Sequence, residues 1–223
     1  QVFAFDIYGD PRVSDDVQGS YAEALKDAPD IFWSPLNGGH WMVQRYDLIS
    51  EIVKNPAVFS AREMQIPRVE NPPFMIPLSL DPPENVPYRH VLMPKFSPRA
   101  VAEMEGKMRA MAADIIDEVV AKGECDFIGD ISARFPVSVF MEVMGLPIEK
   151  LREFRHIADT YFNARTNEDI QRISQQIFGI FIELIDFRRA NPADDLITHF
   201  LTVDVEGRNL SQDEILAMCF VLF

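Results

Sequence analysis

The stretch LDPPENVPYRH (residues 80–90), continued by VLMPKFSPR (residues 91–99), decides how the chain is interpreted. Its paired prolines fix their own φ angles and keep the preceding Asp81 extended, so a helix begins only after them. Pro87 is compatible with the first turn of that helix, and Pro94 weakens or ends it. Asn85 and Arg89 are four residues apart, which predicts that they share one helix face.

A second helix is expected directly after this one, because Ser97 and Pro98 are typical of an N-cap followed by proline at the first helical position. Arg89 therefore belongs to a short helix framed by two breaks. From the residues alone, it is either a surface arginine on a loop-bounded helix or a group that binds a ligand.

The same stretch resembles the C-helix signature of bacterial cytochrome P450 monooxygenases, in its Asp-Pro-Pro-Glu, its arginine and its Phe-Ser-Pro-Arg. The resemblance implies that Arg89 binds a haem propionate and that Asn85 occupies the position of a second propionate partner. It also implies that the helix lies on the face that docks the electron donor. Positive charge concentrates there, at Arg89, His90, Lys95, Arg99, Lys107 and Arg109, with Arg89 and Arg99 as the expected redox-partner contacts; the alternative is a solvated face balanced by acids.

Composition limits the class of protein. The 223 residues carry a net charge of −14 and are 48% hydrophobic, which favours a globular domain and argues against nucleic-acid or membrane-surface binding by bulk charge. We see no signal-peptide pattern and no apolar run of the ~18–20 residues that span a bilayer. We therefore expect a cytoplasmic monomer, with residues 1–223 as a single-domain fragment and Cys125 and Cys219 as free, buried thiols.

The first 60 residues predict a helix at 18–26, strands at 31–34 and 40–45, and a helix at 47–54. The Asn37-Gly38 pair between the strands is a hairpin signal. The run Asn-Gly-Gly-His-Trp resembles the N-terminal sheet of the same family, closest to its camphor-hydroxylating branch. Together with the helices below, this predicts a mainly α fold with a small antiparallel sheet, the N-terminal part of the cytochrome P450 fold.

Residues 61–80 form a long apolar loop with four prolines, which either lines a pocket or packs on the core. The resemblance implies that it roofs the substrate pocket, with Phe74, Met75 and Leu78 as contacts. The camphor enzymes place a hydrogen-bonding tyrosine here, and this loop has none. The roof is therefore expected to be more apolar.

Further helices are predicted at 98–122, 135–144, 149–164, 169–189 and 194–201, with a break at 163–167. In the family, the helices on either side of that break form a mobile lid, which places Tyr161 and Phe162 near the substrate. A capping box at Ser211 opens a last apolar helix that carries Val221, also an expected substrate contact.

The chain ends inside this helix, which resembles the family's I helix. The region that supplies the haem-ligating cysteine is not in the sequence, so we expect neither a catalytic residue nor a metal ligand among its 223 residues. The resemblance implies a haem b monooxygenase that hydroxylates a small hydrophobic, terpenoid substrate with dioxygen and electrons from a two-iron two-sulfur ferredoxin and its reductase. The alternative is a non-catalytic helical ligand-binding or scaffold domain.

Overall fold

Helices dominate the computed structural model of the chain, which describes residues 1–164 and 166–223. Contacts divide it into two compact units, residues 1–71 with 79–82 and residues 72–78 with 83–223. The mainly helical fold with small antiparallel sheets is confirmed. The single domain over residues 1–223 stays a prediction. Within the described ranges, no helix is both long and apolar enough to cross a membrane.

The first unit contains α1 (Val17–Leu25), β1 (Ile31–Ser34), β2 (His40–Val43) and α2 (Tyr46–Val53). The two strands pair antiparallel, with Trp33 opposite Trp41, as the Asn-Gly signal predicts. The turn between them requires positive φ at Asn37, Gly38 and Gly39. Any Cβ on Gly39 would lie 2.6 Å from the Trp33 ring, so only glycine fits there.

The second unit contains most of the helices. In chain order they are α3 (Val86–Leu92), α4 (Pro98–Val120), α5 (Phe135–Met144), α6 (Leu151–Asn163), α7 (Asn167–Ala190), α8 (Leu196–Thr202) and α9 (Gln212–Leu222), with the two-residue strands β3 (Asp204–Val205) and β4 (Arg208–Asn209) before α9. Short 3-10 turns cover Met93–Phe96 and Ile148–Lys150, and a π-helical turn covers Phe127–Ser132. The predicted break at residues 163–167 contains Arg165, which lies outside the described residues.

Helix boundaries follow the local chemistry. The Ser97 hydroxyl accepts a hydrogen bond from the Ala100 N–H at 3.3 Å and starts α4, as predicted. Ser211 and Glu214 form a complete capping box at the start of α9. Gly145 ends α5 with a φ of 71°, the left-handed conformation that favours glycine.

A buried ion pair joins three helices of the second unit. Arg188 of α7 bonds the Asp195 carboxylate at the start of α8 and donates to the Gly145 carbonyl after α5 at 3.0 Å. The Asp195 side chain is only 3% exposed, and it also accepts from the Thr198 N–H at 2.8 Å. Removing the carboxylate would leave a largely buried guanidinium without its counter-charge.

We therefore expect Asp195→Ala to lower the free energy of unfolding by about 3 kcal/mol, because an uncompensated buried charge and a lost helix cap add. Urea denaturation followed by circular dichroism measures the change. The matched control is Glu105→Ala, which breaks the exposed pair with Arg109 and should cost less than about 0.5 kcal/mol. Equal midpoints for the two variants would contradict the assigned role of the buried pair.

Candidate functional site

Helix α3 presents two distinct faces. Asn85, at its N-cap, is 7% exposed, and Val91, two turns along, is 4% exposed. Tyr88 lies between them and is half-buried, whereas Arg89 and His90 are exposed. The residues at spacing three thus face the protein interior. Asn85 and Arg89 differ in burial, although Asn85 has helical backbone angles and its carbonyl accepts a hydrogen bond from the Arg89 N–H at 3.1 Å.

The buried face of α3 is bonded to the start of α9. The Tyr88 hydroxyl donates to Glu214 Oε1 at 2.5 Å. The same carboxylate accepts two hydrogen bonds from the Arg208 guanidinium, at 2.7 and 2.8 Å, and one from the Ser211 N–H at 2.7 Å. A bidentate arginine and a backbone donor hold Glu214 in place, so it is a fixed acceptor for Tyr88.

A second bond holds the other end of α3. His199 of α8 places Nε2 3.0 Å from the Val91 carbonyl oxygen. The first attachment is through the Tyr88 side chain, and the second is through a backbone carbonyl near the C-terminal end of the helix. With these two attachments the rotation of α3 is defined, and Arg89 projects from the opposite, exposed side.

The basic groups around α3 are mostly neutralised by neighbouring acids. Four of the six predicted cations form ion pairs, which are Lys95 with Asp194 (3.7 Å), Arg99 with Glu103 (2.9 Å), Lys107 with Glu142 (2.5 Å) and Arg109 with Glu105 (2.7 Å). By contrast, the Arg89 guanidinium makes no ion pair or hydrogen bond within the described part of the chain. Arg89 is therefore the arginine of this face that is available to an anionic ligand.

A shallow groove flanks the same helix. It has a volume of about 400 Å³ and runs between α3 and the β3–β4 turn. Apolar side chains such as Val86, Val91 and Val205 line it, together with His90, Asp204 and Glu206. The two carboxylates beside His90 further reduce the positive charge of this surface.

The predicted loop contacts lie in the segment 72–78. Ile76 is 1% exposed and fixes the segment in the core, whereas Phe74 is 53% and Leu78 46% exposed. Met75 is half-buried. The loop therefore has an apolar anchor with exposed apolar side chains on both sides of it, an arrangement that is costly in water unless a ligand or further protein covers it.

One of the predicted contacts, Tyr161 of α6, belongs to an aromatic cluster with the last helix. The Tyr161 ring packs edge-on against Phe220 of α9 at 5.5 Å, and Phe178 of α7 lies 5.0 Å from the same Phe220. Burial raises the pKa of the Tyr161 hydroxyl. Val221, next along α9, is half-buried, whereas Phe162 is 71% exposed. The structure thus brings Tyr161 and the Val221 helix together and leaves Phe162 at the surface.

The cysteines differ in environment. Cys219 is buried inside α9, as expected, and its burial strongly raises the pKa of the thiol. Cys125 is exposed, so the expectation of burial is wrong for this residue. Across residues 1–164 and 166–223, no three His, Cys, Asp or Glu side chains are grouped in a way that could hold a metal ion.

Sequence reasoning missed the network that fixes α3. The capping box at Ser211 includes Glu214, but the sequence does not predict the bonds of Glu214 to Tyr88 and Arg208. One signal was available at Tyr88. It is an aromatic residue with a polar hydroxyl, and it directly precedes Arg89, the ligand-binding candidate, on a helix framed by prolines. Nothing local points to His199, because its acceptor lies 108 residues away.

Comparisons with known proteins are consistent with this geometry, although no protein-family model matches the chain. The chain is 27% identical over 215 residues to a steroid C26-monooxygenase of Rhodococcus jostii, covering 87% of the chain and 45% of that protein. It is 26% identical over 218 residues to cytochrome P450 109 of Bacillus spizizenii, covering 91% and 50%. The crystal structure of CYP101J2 superposes with a TM-score of 0.84 at 32% identity, covering 99% of the chain and 55% of that structure. The chain thus spans about half the length of the relatives it matches.

The Glu214 network predicts a specific acid sensitivity. The Arg208 guanidinium and the Tyr88 hydroxyl lower the pKa of Glu214 from 4.5 to about 2, against the opposing effect of burial. A lowered folded-state pKa stabilises the protein above pH ~4.5, and that contribution is lost as the pH falls towards 2. Its full size is about 3 kcal/mol.

We expect Glu214→Gln to reduce the dependence of the free energy of unfolding on pH in this range, because glutamine does not titrate. Urea denaturation at a series of pH values between ~5 and ~2.5 measures the slope, with Glu105→Gln as the exposed control. If Glu214→Gln leaves the slope between those pH values as steep as in the wild type, Glu214 is not the group responsible.

Proposed function

We propose that this chain, which corresponds in sequence and fold to the N-terminal half of a bacterial cytochrome P450, contributes the propionate-binding helix and the substrate lid of a haem-dependent monooxygenase. The named relatives support this activity, since cytochromes P450 imply a haem cofactor. The observation that carries the proposal is Arg89. It is an arginine without a partner in the described residues, on a helix whose other face is fixed by bonds to α8 and α9.

The residues of α3 fit the haem. A guanidinium forms charge-assisted, paired hydrogen bonds with a carboxylate, and a propionate is such a group. We assign Arg89 as the propionate ligand and Asn85 as a second, shorter-ranged partner at the N-terminus of the same helix. When bound, the haem supplies the activation of dioxygen and the insertion of oxygen into a C–H bond. Within this chain, α3 binds and orients it.

We propose a small, apolar, terpenoid-like substrate. Phe74, Met75 and Leu78 offer no hydrogen-bond donor, which favours hydrocarbon over ketone recognition. We assign Tyr161, Phe162 and Val221 as further substrate contacts, from α6 and α9. One relative is named for action on a steroid, another polycyclic apolar compound, and this supports an apolar pocket without identifying the substrate.

For electron delivery we propose a two-iron two-sulfur ferredoxin with its reductase, docking near Arg89 and Arg99. The ion pairs reported above change the expected strength of this contact. Arg99 is already paired with Glu103, and both side chains are highly exposed. Charge steering by this face should therefore be modest and easily screened by salt. The cytoplasmic location and the monomeric state stay predictions.

Haem retention tests the proposal. In the complete gene product, the reduced protein should give a carbon monoxide difference spectrum of a thiolate-ligated haem. Arg89→Ala should release haem roughly 10- to 100-fold faster, because a hydrogen bond to a charged group contributes about 1.5–3 kcal/mol. The rate of haem release from Arg89→Lys should lie between those of the wild type and Arg89→Ala, since lysine keeps the charge but not the paired hydrogen-bond geometry.

Arg99→Ala is the matched control, because it removes an exposed arginine whose partner belongs to the chain itself. It should keep wild-type haem retention and slow only ferredoxin-driven reduction, more at low salt. Stopped-flow reduction and haem transfer to apomyoglobin separate the two effects. Normal haem retention in Arg89→Ala would overturn the proposed role of α3.

The substrate proposal makes a separate prediction. An apolar cyclic terpenoid should shift the haem spectrum towards high spin more strongly than a ketone of equal size. Leu78→Thr should reduce or reverse the difference between the two ligands, since it exchanges a leucine contact worth about 1.5–3 kcal/mol for a hydroxyl. Optical titration with both ligands measures the affinities. An unchanged order would remove residues 72–78 from the pocket wall.

A further inference from the structure

We propose that Tyr88 and Glu214 are positioning residues for Arg89: their hydrogen bond sets the rotation of α3 and thereby the direction in which the guanidinium is presented. The inference rests on the proposed haem site and adds two residues to it. Neither side chain contacts the ligand in this scheme. Both act through the backbone of the helix that carries Arg89.

The helix needs an external constraint. It is only seven residues long, begins with proline in its first turn and ends at Leu92, before a 3-10 turn that contains Pro94. A helix this short has too few internal hydrogen bonds to hold its own orientation. Its geometry must therefore come from tertiary contacts, which include the bonds at Tyr88 and at the Val91 carbonyl and the burial of Asn85 and Val91.

Tyr88 is suited to setting the rotation. It directly precedes Arg89, so a turn of the helix about its axis moves both side chains together. The acceptor is rigid, because the Glu214 carboxylate also receives two bonds from Arg208 and one from the Ser211 backbone. The Tyr88 hydroxyl thus fixes the position of α3 relative to the N-terminus of α9.

Packing alone would not require the hydroxyl. A phenylalanine at position 88 fills the same half-buried space, and the carboxylate would still be held by Arg208 and the Ser211 N–H. What Tyr88→Phe removes is the directional bond at 2.5 Å between the two helices. Its loss should act on the placement of Arg89 more than on the fold.

A double-mutant cycle on the haem-loaded, complete protein tests this. The measured quantities are the rate of haem transfer to apomyoglobin and the haem reduction potential, with unfolding of the apoprotein recorded in parallel. The variants are Tyr88→Phe, Glu214→Gln and Arg89→Ala, alone and combined. Tyr46→Phe removes the hydroxyl of an 85% exposed tyrosine and is the matched control.

We expect Tyr88→Phe to speed haem loss roughly fivefold, and to add nothing once Arg89 is alanine. Glu214→Gln should also add nothing once Arg89 is alanine. Because it weakens the bonds to Arg208 as well, Tyr88→Phe decides the question if Glu214→Gln does not fold. Tyr46→Phe should match the wild type in both readouts.

If Tyr88→Phe speeds haem loss by the same factor with arginine and with alanine at position 89, its role is purely structural and the inference is overturned. A rate of haem loss in Tyr88→Phe equal to that in Tyr46→Phe would overturn it as well. The proposed function fails by a different result. In that case the wild-type protein does not retain haem, or Arg89→Ala retains it as well as the wild type does.

Discussion

One carboxylate, that of Glu214, joins the candidate site on α3 to the start of α9. It accepts hydrogen bonds from Tyr88 on α3, from the Arg208 guanidinium on β4 and from the Ser211 backbone at its own helix terminus. Each donor satisfies part of a charge that burial would otherwise penalise. Without this junction, a seven-residue helix framed by prolines would keep only the His199–Val91 bond and its buried residues to hold its orientation.

The same charge balance distinguishes Arg89 from its neighbours. Lys95, Arg99, Lys107 and Arg109 each have an acidic partner within the chain, so they add little net field to the face around α3. The overall charge of −14 reinforces this. The surface that looked basic in the sequence is locally compensated, and the interpretation of a solvated, balanced face applies to most of it. What is left is a single oriented guanidinium, which suits recognition of one carboxylate better than broad electrostatic attraction.

The local features of the fold were readable from the sequence because they depend on neighbouring residues. The caps at Ser97 and Ser211, the glycine after α5 and the Asn37-Gly38 turn all behave as their chemistry predicts. The contacts that orient the site were not readable, since Tyr88 and Glu214 are 126 residues apart. Asn85 and Arg89 illustrate the limit. Their spacing is right for one face, and the Arg89 N–H bonds to the Asn85 carbonyl, yet Asn85 is buried and Arg89 is exposed. The π-helical turn at Phe127–Ser132 had no sequence signal that we could identify.

The central claim is that α3, attached through Tyr88 and Val91, presents Arg89 to a haem propionate. A crystal structure of the complete protein with haem bound tests it most directly, by the distance from the Arg89 guanidinium to the nearest propionate oxygen. The account predicts a charge-assisted hydrogen bond of about 2.7–2.9 Å, with the Tyr88–Glu214 bond intact. An Arg89 side chain extended into solvent, with the propionates held by other groups, would contradict it.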